Sequence, residues 1–184
     1  MTGIVIILVL LVLAWGIFIH NRLVRLRNQV RAAWADIDVQ LTRRHDLVPQ
    51  LVTVVQGYAA HERAVLESVA ALRANAMQLI ASPARLGEIE AELEQALGRL
   101  LALREAYPDL KASDNFIQLQ RDLVSVEEHL QYARRFYNGA VRDYNDACQR
   151  IPDAFVARAA GFANSEFYQA RDEERAAVRV RATP

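Results

Sequence analysis

Cysteine, lysine, glycine and proline are all scarce in this chain of 184 residues. A single thiol, Cys148, cannot close an internal disulfide, so a fold must hold by packing without that staple. Seven Gly and five Pro are too few for the closely spaced turns of a sandwich of short strands, and 53% apolar residues is unlike a disordered chain. An excess of one charge is missing as well. The 22 basic residues balance 22 acidic ones, which removes the global field that draws in nucleic acid and other polyanions. Lys111 stands alone among arginines, a bias from which nothing about function follows. These absences leave a helical protein of ordinary domain size as the natural expectation.

What is present, first, is a long apolar run. Residues 3–19 read GIVIILVLLVLAWGIFI, with no charged side chain. As a helix they span roughly 26 Å at about 1.5 Å per residue, and Met1, Thr2 and His20 can extend this toward a bilayer core of roughly 30 Å. Arg22, Arg25, Arg27 and Arg31 follow before the first acid, Asp36, whereas nothing basic but the terminal amine precedes the run. By the positive-inside rule this predicts a single-pass anchor over 1–20, N-terminus outside and the remainder cytoplasmic, with the lipid bilayer as partner. A cleaved signal peptide fits less well: the basic leader is missing and the small-residue pair Ala14 and Gly16 lies inside the run. A buried core helix fits less well still, because it would keep a polar stripe.

Behind the anchor, apolar residues recur at spacings of three and four from Leu23 to about Ile80, with Trp34, Leu41, Val48 and Val55 on one row and Ile37, Leu51, Tyr58, Val65, Leu72 and Leu79 on its companion. That predicts one long first helix. Arg44 and Glu62 place charges in its seam, and Pro49 predicts a kink without a chain reversal, because the register matches on both sides. A helix of this length, about 90 Å, would project partly as a stalk or pair with copies of itself. Ser82 and Pro83 read as the start of a second helix carrying Leu86, Ile89, Leu93, Leu97 and Leu100 and ending near Tyr107. Ser113 or Asp114 caps a third, with an unbroken seam from Phe116 to Ile151 that Pro152 stops. A short fourth helix from Asp153 to Ala160 closes at Gly161, followed by Phe162, Phe167 and Tyr168 as aromatic plugs. Residues 169–184 are too polar to bury and read as a loose tail. The fold class predicted is all-α: an N-terminal transmembrane helix, then an antiparallel, up-and-down bundle over 21–168 with a long, Pro-kinked first helix.

Ordered strings in this sequence resemble the LemA family. They are the Trp34-x-x-Ile37 core, the Arg44-x-Asp46-Leu47-Val48-Pro49-x-Leu51-Val52 stretch, Gly57-Tyr58-x-x-His61-Glu62, and the Leu119-Gln120-x-x-Leu123 and Tyr137-Asn138-x-x-Val141-x-x-Tyr144-Asn145 signatures. The likeness covers nearly all of 21–168; Ile151 stands where the family more often has Phe, and 82–113 matches only in length and helicity. The resemblance implies a membrane helix and a helical bundle at the bacterial inner membrane. It supplies no biochemical activity.

A search for chemistry is short. His61-Glu62 lacks the second His of a zinc hydrolase, since position 65 is Val, and Glu62 is expected to answer Arg134 or Arg135. No His has Glu three residues before it, as a di-iron bundle needs. Glu88, Glu90, Glu92 and Glu94 read as a solvated face, and Cys148 as a small buried hydrophobe. Tyr137, Asn138, Tyr144 and Asn145 repeat every seven residues and are candidates, with Arg44 and Glu62, for helix register or a partner surface. The expectation is a non-enzymatic scaffold or adaptor that binds other proteins or itself, with no cofactor, nucleic acid or small-molecule substrate. Lipid contact through Arg22, Arg25, Arg27 and Arg31 is the alternative.

Overall fold

The two long apolar seams become the two longest helices. A computed structural model describes residues 1–78 and 82–168. Among them are six α-helices and no strand: α1 (Thr2–Tyr58), α2 (Arg63–Gln78), α3 (Pro83–Ala102), α4 (Pro108–Lys111), α5 (Asp114–Gln149) and α6 (Asp153–Ala159), with a 3-10 turn at Leu103–Glu105. Leu79, Ile80 and the polar tail over 169–184 lie outside the described residues. The all-α bundle predicted from the sequence is the fold observed.

The first helix is shorter than the seam suggested. It runs through Pro49 to Tyr58, and the chain then reverses over 59–62, so that Arg73 on α2 meets the carbonyl of His45 on α1 at 2.7 Å. The turn closes with Glu62 N–H donating to the Ala59 carbonyl at 3.0 Å, and buried Ala59 plugs it. No left-handed glycine or proline marks the reversal, and the spacing from Tyr58 to Val65 to Leu72 stays in register across it. The Gly57-Tyr58-x-x-His61-Glu62 block is therefore a turn and not a stretch of rod. No bare stalk follows the apolar run either, since buried residues recur along α1 from Leu23 to Val55.

The chain divides into two compact units. The first comprises 1–39 with 131–167, where α1 and α5 run antiparallel, Trp34 meeting Tyr137 edge-on at 5.3 Å and Arg22 meeting Asp153 at 2.7 Å. Its interior is Leu23, Val30, Ala33 and Ile37 against Ala133, Tyr137, Ala140, Val141 and Tyr144. The second comprises 40–130 together with Tyr168, and its core gathers Val48, Leu51 and Val55 of α1, Leu66 and Val69 of α2, Leu93, Leu97 and Leu100 of α3, Leu110 of α4, and Phe116 and Leu123 of α5. Burial of each such side chain contributes about 1.5–3 kcal/mol. Local caps agree with this packing: Ser82 accepts from Arg85 N–H ahead of Pro83, and Ser113 accepts from Phe116 N–H at 3.4 Å to start α5.

The first eighteen residues differ from all the rest. Every large apolar side chain from Ile4 to Leu13 is more than half exposed, as are Ile17 and Phe18. A helix that is apolar on all faces and exposed along most of this stretch is long enough and apolar enough to cross a membrane.

Candidate functional site

In the second unit, Arg44 sits one turn from Leu41 and Val48 on the inward face of α1, so its guanidinium is carried into the interior and is only 3% exposed. An unpaired charge there would cost several kcal/mol. Anions from two helices meet it. Nη1 lies 3.2 Å from Glu90 Oε2 on α3, and Nη2 lies 2.6 Å from Glu127 Oε2 on α5 and 3.7 Å from Glu94 Oε2. The other oxygen of Glu90, which is wholly buried, accepts from His45 Nε2 at 2.8 Å. Glu90 is thus not part of a solvated face. It stands three residues before Leu93 and seven before Leu97, on their stripe, a spacing that could have identified it as the counter-charge for Arg44.

Pro49 belongs to the same cluster. Lacking an N–H, it leaves the His45 carbonyl without its helical donor, and Arg73 Nε supplies one at 2.7 Å. The Arg44-His45-x-x-x-Pro49 string therefore encodes a junction: a buried cation, a buried imidazole and a freed carbonyl, each answered from another helix. Glu62 lies elsewhere. It sits at the α1–α2 turn and accepts the Tyr107 hydroxyl at 3.1 Å, where an arginine of the third long helix had been expected. That carboxylate holds the Tyr107 phenol above its ordinary pKa.

In the first unit, α5 binds an extended segment of its own chain. Asn145 donates from Nδ2 to the Ser165 carbonyl and accepts from the Ser165 N–H, both at 2.9 Å, and the Tyr137 hydroxyl donates to the Glu166 carbonyl at 2.9 Å. Tyr137, Tyr144 and Asn145 are buried, and Asn138 is half-buried. Burial pushes the Tyr144 phenol up to about 12, raises Tyr137 and raises the Cys148 thiol. The segment is aimed by the end of α6, where Gly161 takes φ +72°, its N–H meets the Arg158 carbonyl at 3.3 Å, and Phe162 N–H reaches the Ala157 carbonyl at 2.9 Å. Phe162 then packs edge-on against His20 at 5.4 Å and under the Arg27 guanidinium at 5.0 Å. Phe167 is 45% exposed, so it does not plug the bundle, whereas Tyr168 is buried. Of the four arginines after the apolar run, Arg22 pairs with Asp153 and Arg27 covers Phe162, while Arg25 and Arg31 are exposed.

No group of three or more His, Cys, Asp or Glu that could hold a metal ion occurs among the described residues. The ionisable groups that converge are taken up by one another, in the Arg44 cluster and in pairs such as Glu62 with Tyr107. Beside them are shallow grooves, such as the one of about 330 Å³ between Arg43, Asp46 and Leu47 of α1 and Asp122, Ser125 and Val126 of α5.

Known proteins place this architecture. A family model described as the LemA family matches residues 33–181. The chain is 23% identical to Magnetosome protein MamQ 2 of Paramagnetospirillum magneticum over 175 residues, covering 82% of this chain and 64% of that protein. It is 24% identical to Magnetosome protein MamQ of Magnetospirillum gryphiswaldense over 174 residues, covering 81% and 64%. Protein LemA of Metamycoplasma hominis is 24% identical over 158 residues, covering 86% of this chain and 72% of that one. The chain thus spans about two thirds of the length of the proteins it matches, slightly less for the two magnetosome proteins. With the family model matched over 33–181, most of its length, this chain belongs to the LemA family.

Proposed function

We propose that the chain is a membrane-anchored helical scaffold or adaptor that presents its outer helix faces to another protein or to a second copy of itself, with no catalytic step. The observation that carries the reading is on α5 in the first unit. Tyr132 and Phe136, one turn apart, stack in parallel with centroids 6.5 Å apart, yet remain 67% and 43% exposed. Aromatic side chains stacked on each other and left in solvent are favoured contact groups of protein interfaces. The buried charges support the same reading, because Arg44, His45 and Glu90 are consumed in holding helices together. A structural role is compatible with relatives named as magnetosome proteins.

The anchor in this reading is the helix over 3–19, and the arginines behind it direct the domain to the cytoplasm. Cross-linking in native membranes tests the scaffold. The expected result is a defined adduct, to itself or to one partner, that is lost in a Tyr132→Ser, Phe136→Ser chain. A strictly monomeric protein with an unchanged cross-linking pattern refutes it. Reporter fusions at each terminus test the orientation.

A second reading, contact with anionic lipid, is favoured by the exposure of Arg25 and Arg31, each contributing about 1 kcal/mol near a charged bilayer. Reversing both charges should weaken binding to anionic vesicles while leaving the fold intact. Unchanged binding removes this reading.

A further inference from the structure

A groove of about 530 Å³ runs between the apolar end of α1 and the outer side of α6, within the first unit. One wall is Val12, Leu13, Gly16 and Ile17 of the apolar run, with His20 just beyond it, and the other is Phe155, Val156, Ala159 and Ala160. The short helix has two different sides. Asp153, Ala154 and Ala157 are buried, with Asp153 pinned to Arg22 at 2.7 Å. Phe155, by contrast, is 65% exposed and Ile151, just before the helix, is 73% exposed.

We propose that the outer side of α6, with Phe155 and Ile151, is immersed in the lipid interface, so that the protein is held by a membrane-spanning helix and a second, shallow wedge. The inference rests on the anchoring of residues 3–19 stated above, and the occupant follows from continuity with it. Whatever surrounds Val12, Leu13 and Ile17 also fills the groove they share with Phe155. From residue 12 to residue 19 the helix rises about 10 Å, so α6 lies beside the last ten or so ångströms of the apolar run, the depth at which interfacial helices rest. The charges agree with this placement. Arg150 and Arg158, at either end of the wedge, are exposed and long enough for their guanidinium groups to reach the headgroups while their stems stay apolar. Asp153, the acid that would be costly at that depth, is neutralised by Arg22.

The test uses the full chain reconstituted into vesicles of equal parts phosphatidylcholine and phosphatidylglycerol, doped with a lipid carrying a photoactivated carbene precursor on its acyl chain. After illumination, adducts are mapped by mass spectrometry. The expected pattern is lipid adducts on peptides from 3–19 and also on 151–156, with none on the exposed Tyr132 of α5. Phe155→Asp, a change at an exposed position, should abolish the α6 adducts and spare those of α1; circular dichroism verifies that the variant keeps its helix content. Adducts confined to α1 overturn the wedge and leave the anchor standing. Adducts in neither place overturn both. Unlabelled α6 together with a cysteine at position 155 that cross-links to its copy would assign the groove to a second chain and overturn the inference, as would α6 adducts that persist in Phe155→Asp.

Discussion

Removing Glu90 leaves Arg44 buried with two of its three carboxylates. In Glu90→Leu the guanidinium keeps Glu127 at 2.6 Å, with Glu94 at 3.7 Å, so the loss should fall at the lower end of what breaking a buried ion pair costs, about 3 kcal/mol. Arg44→Met is harsher. It strips the wholly buried Glu90 of its arginine, leaving only the His45 contact at 2.8 Å, and frees Glu127 as well, for a loss of about 5 kcal/mol. The double variant replaces the pair by apolar side chains of similar volume, and should be at least about 2 kcal/mol more stable than the sum of the two losses implies. Urea unfolding of the full chain in detergent micelles, followed by far-ultraviolet circular dichroism, measures all three. Because Arg44 and Glu90 are themselves shielded from solvent, their coupling should also change little with added salt. Two single losses below about 1 kcal/mol, or losses that simply add, would refute the reasoning that Arg44 and Glu90 act as one buried unit.

Four further outcomes are expected. Arg73→Ala should cost about 1.5–3 kcal/mol in the native chain and less than half of that in a Pro49→Ala chain, where residue 49 regains the N–H that serves the His45 carbonyl; equal costs in both backgrounds refute the account of Pro49. Asn145→Ala removes two hydrogen bonds to Ser165, for about 1–3 kcal/mol, and should raise the rate at which limited proteolysis cuts within 162–168. The Tyr144 phenol, pushed from its ordinary 10.0 to about 12, contributes stability that is complete below pH 10 and lost as pH rises toward about 12. Phenolate absorbance in an alkaline titration should therefore rise late in the native chain, and Tyr144→Phe should lose less stability than the native chain between pH 10 and about 12. Cys148, buried and with its thiol pKa raised, should resist alkylating reagents until the chain is unfolded by denaturant.

Much of the helical plan was legible because it depends on local rules. The Ser82-Pro83 start, the Ser113 cap, the seam over 116–147 and the Gly161 stop all follow from backbone chemistry that acts within a few residues. The α1–α2 turn was not legible for the opposite reason. It uses ordinary α-region residues and one short Glu62 to Ala59 hydrogen bond, and the apolar rows happen to keep their phase through it. Glu90 was misread because a run of alternating glutamates looks like a charged surface until one of them is counted against Leu93 and Leu97.

The sequence by itself determined the apolar helix over 3–19, the all-α class and the positions of most caps, because hydrophobic periodicity and capping are properties of neighbouring residues. Tertiary structure alone decided which charges are buried together, where the first helix turns back, and which arginines beyond the apolar run remain in solvent. Those are relations between residues such as Arg44 and Glu127, 83 positions apart, and only the packing of helices brings such residues within 2.6 Å.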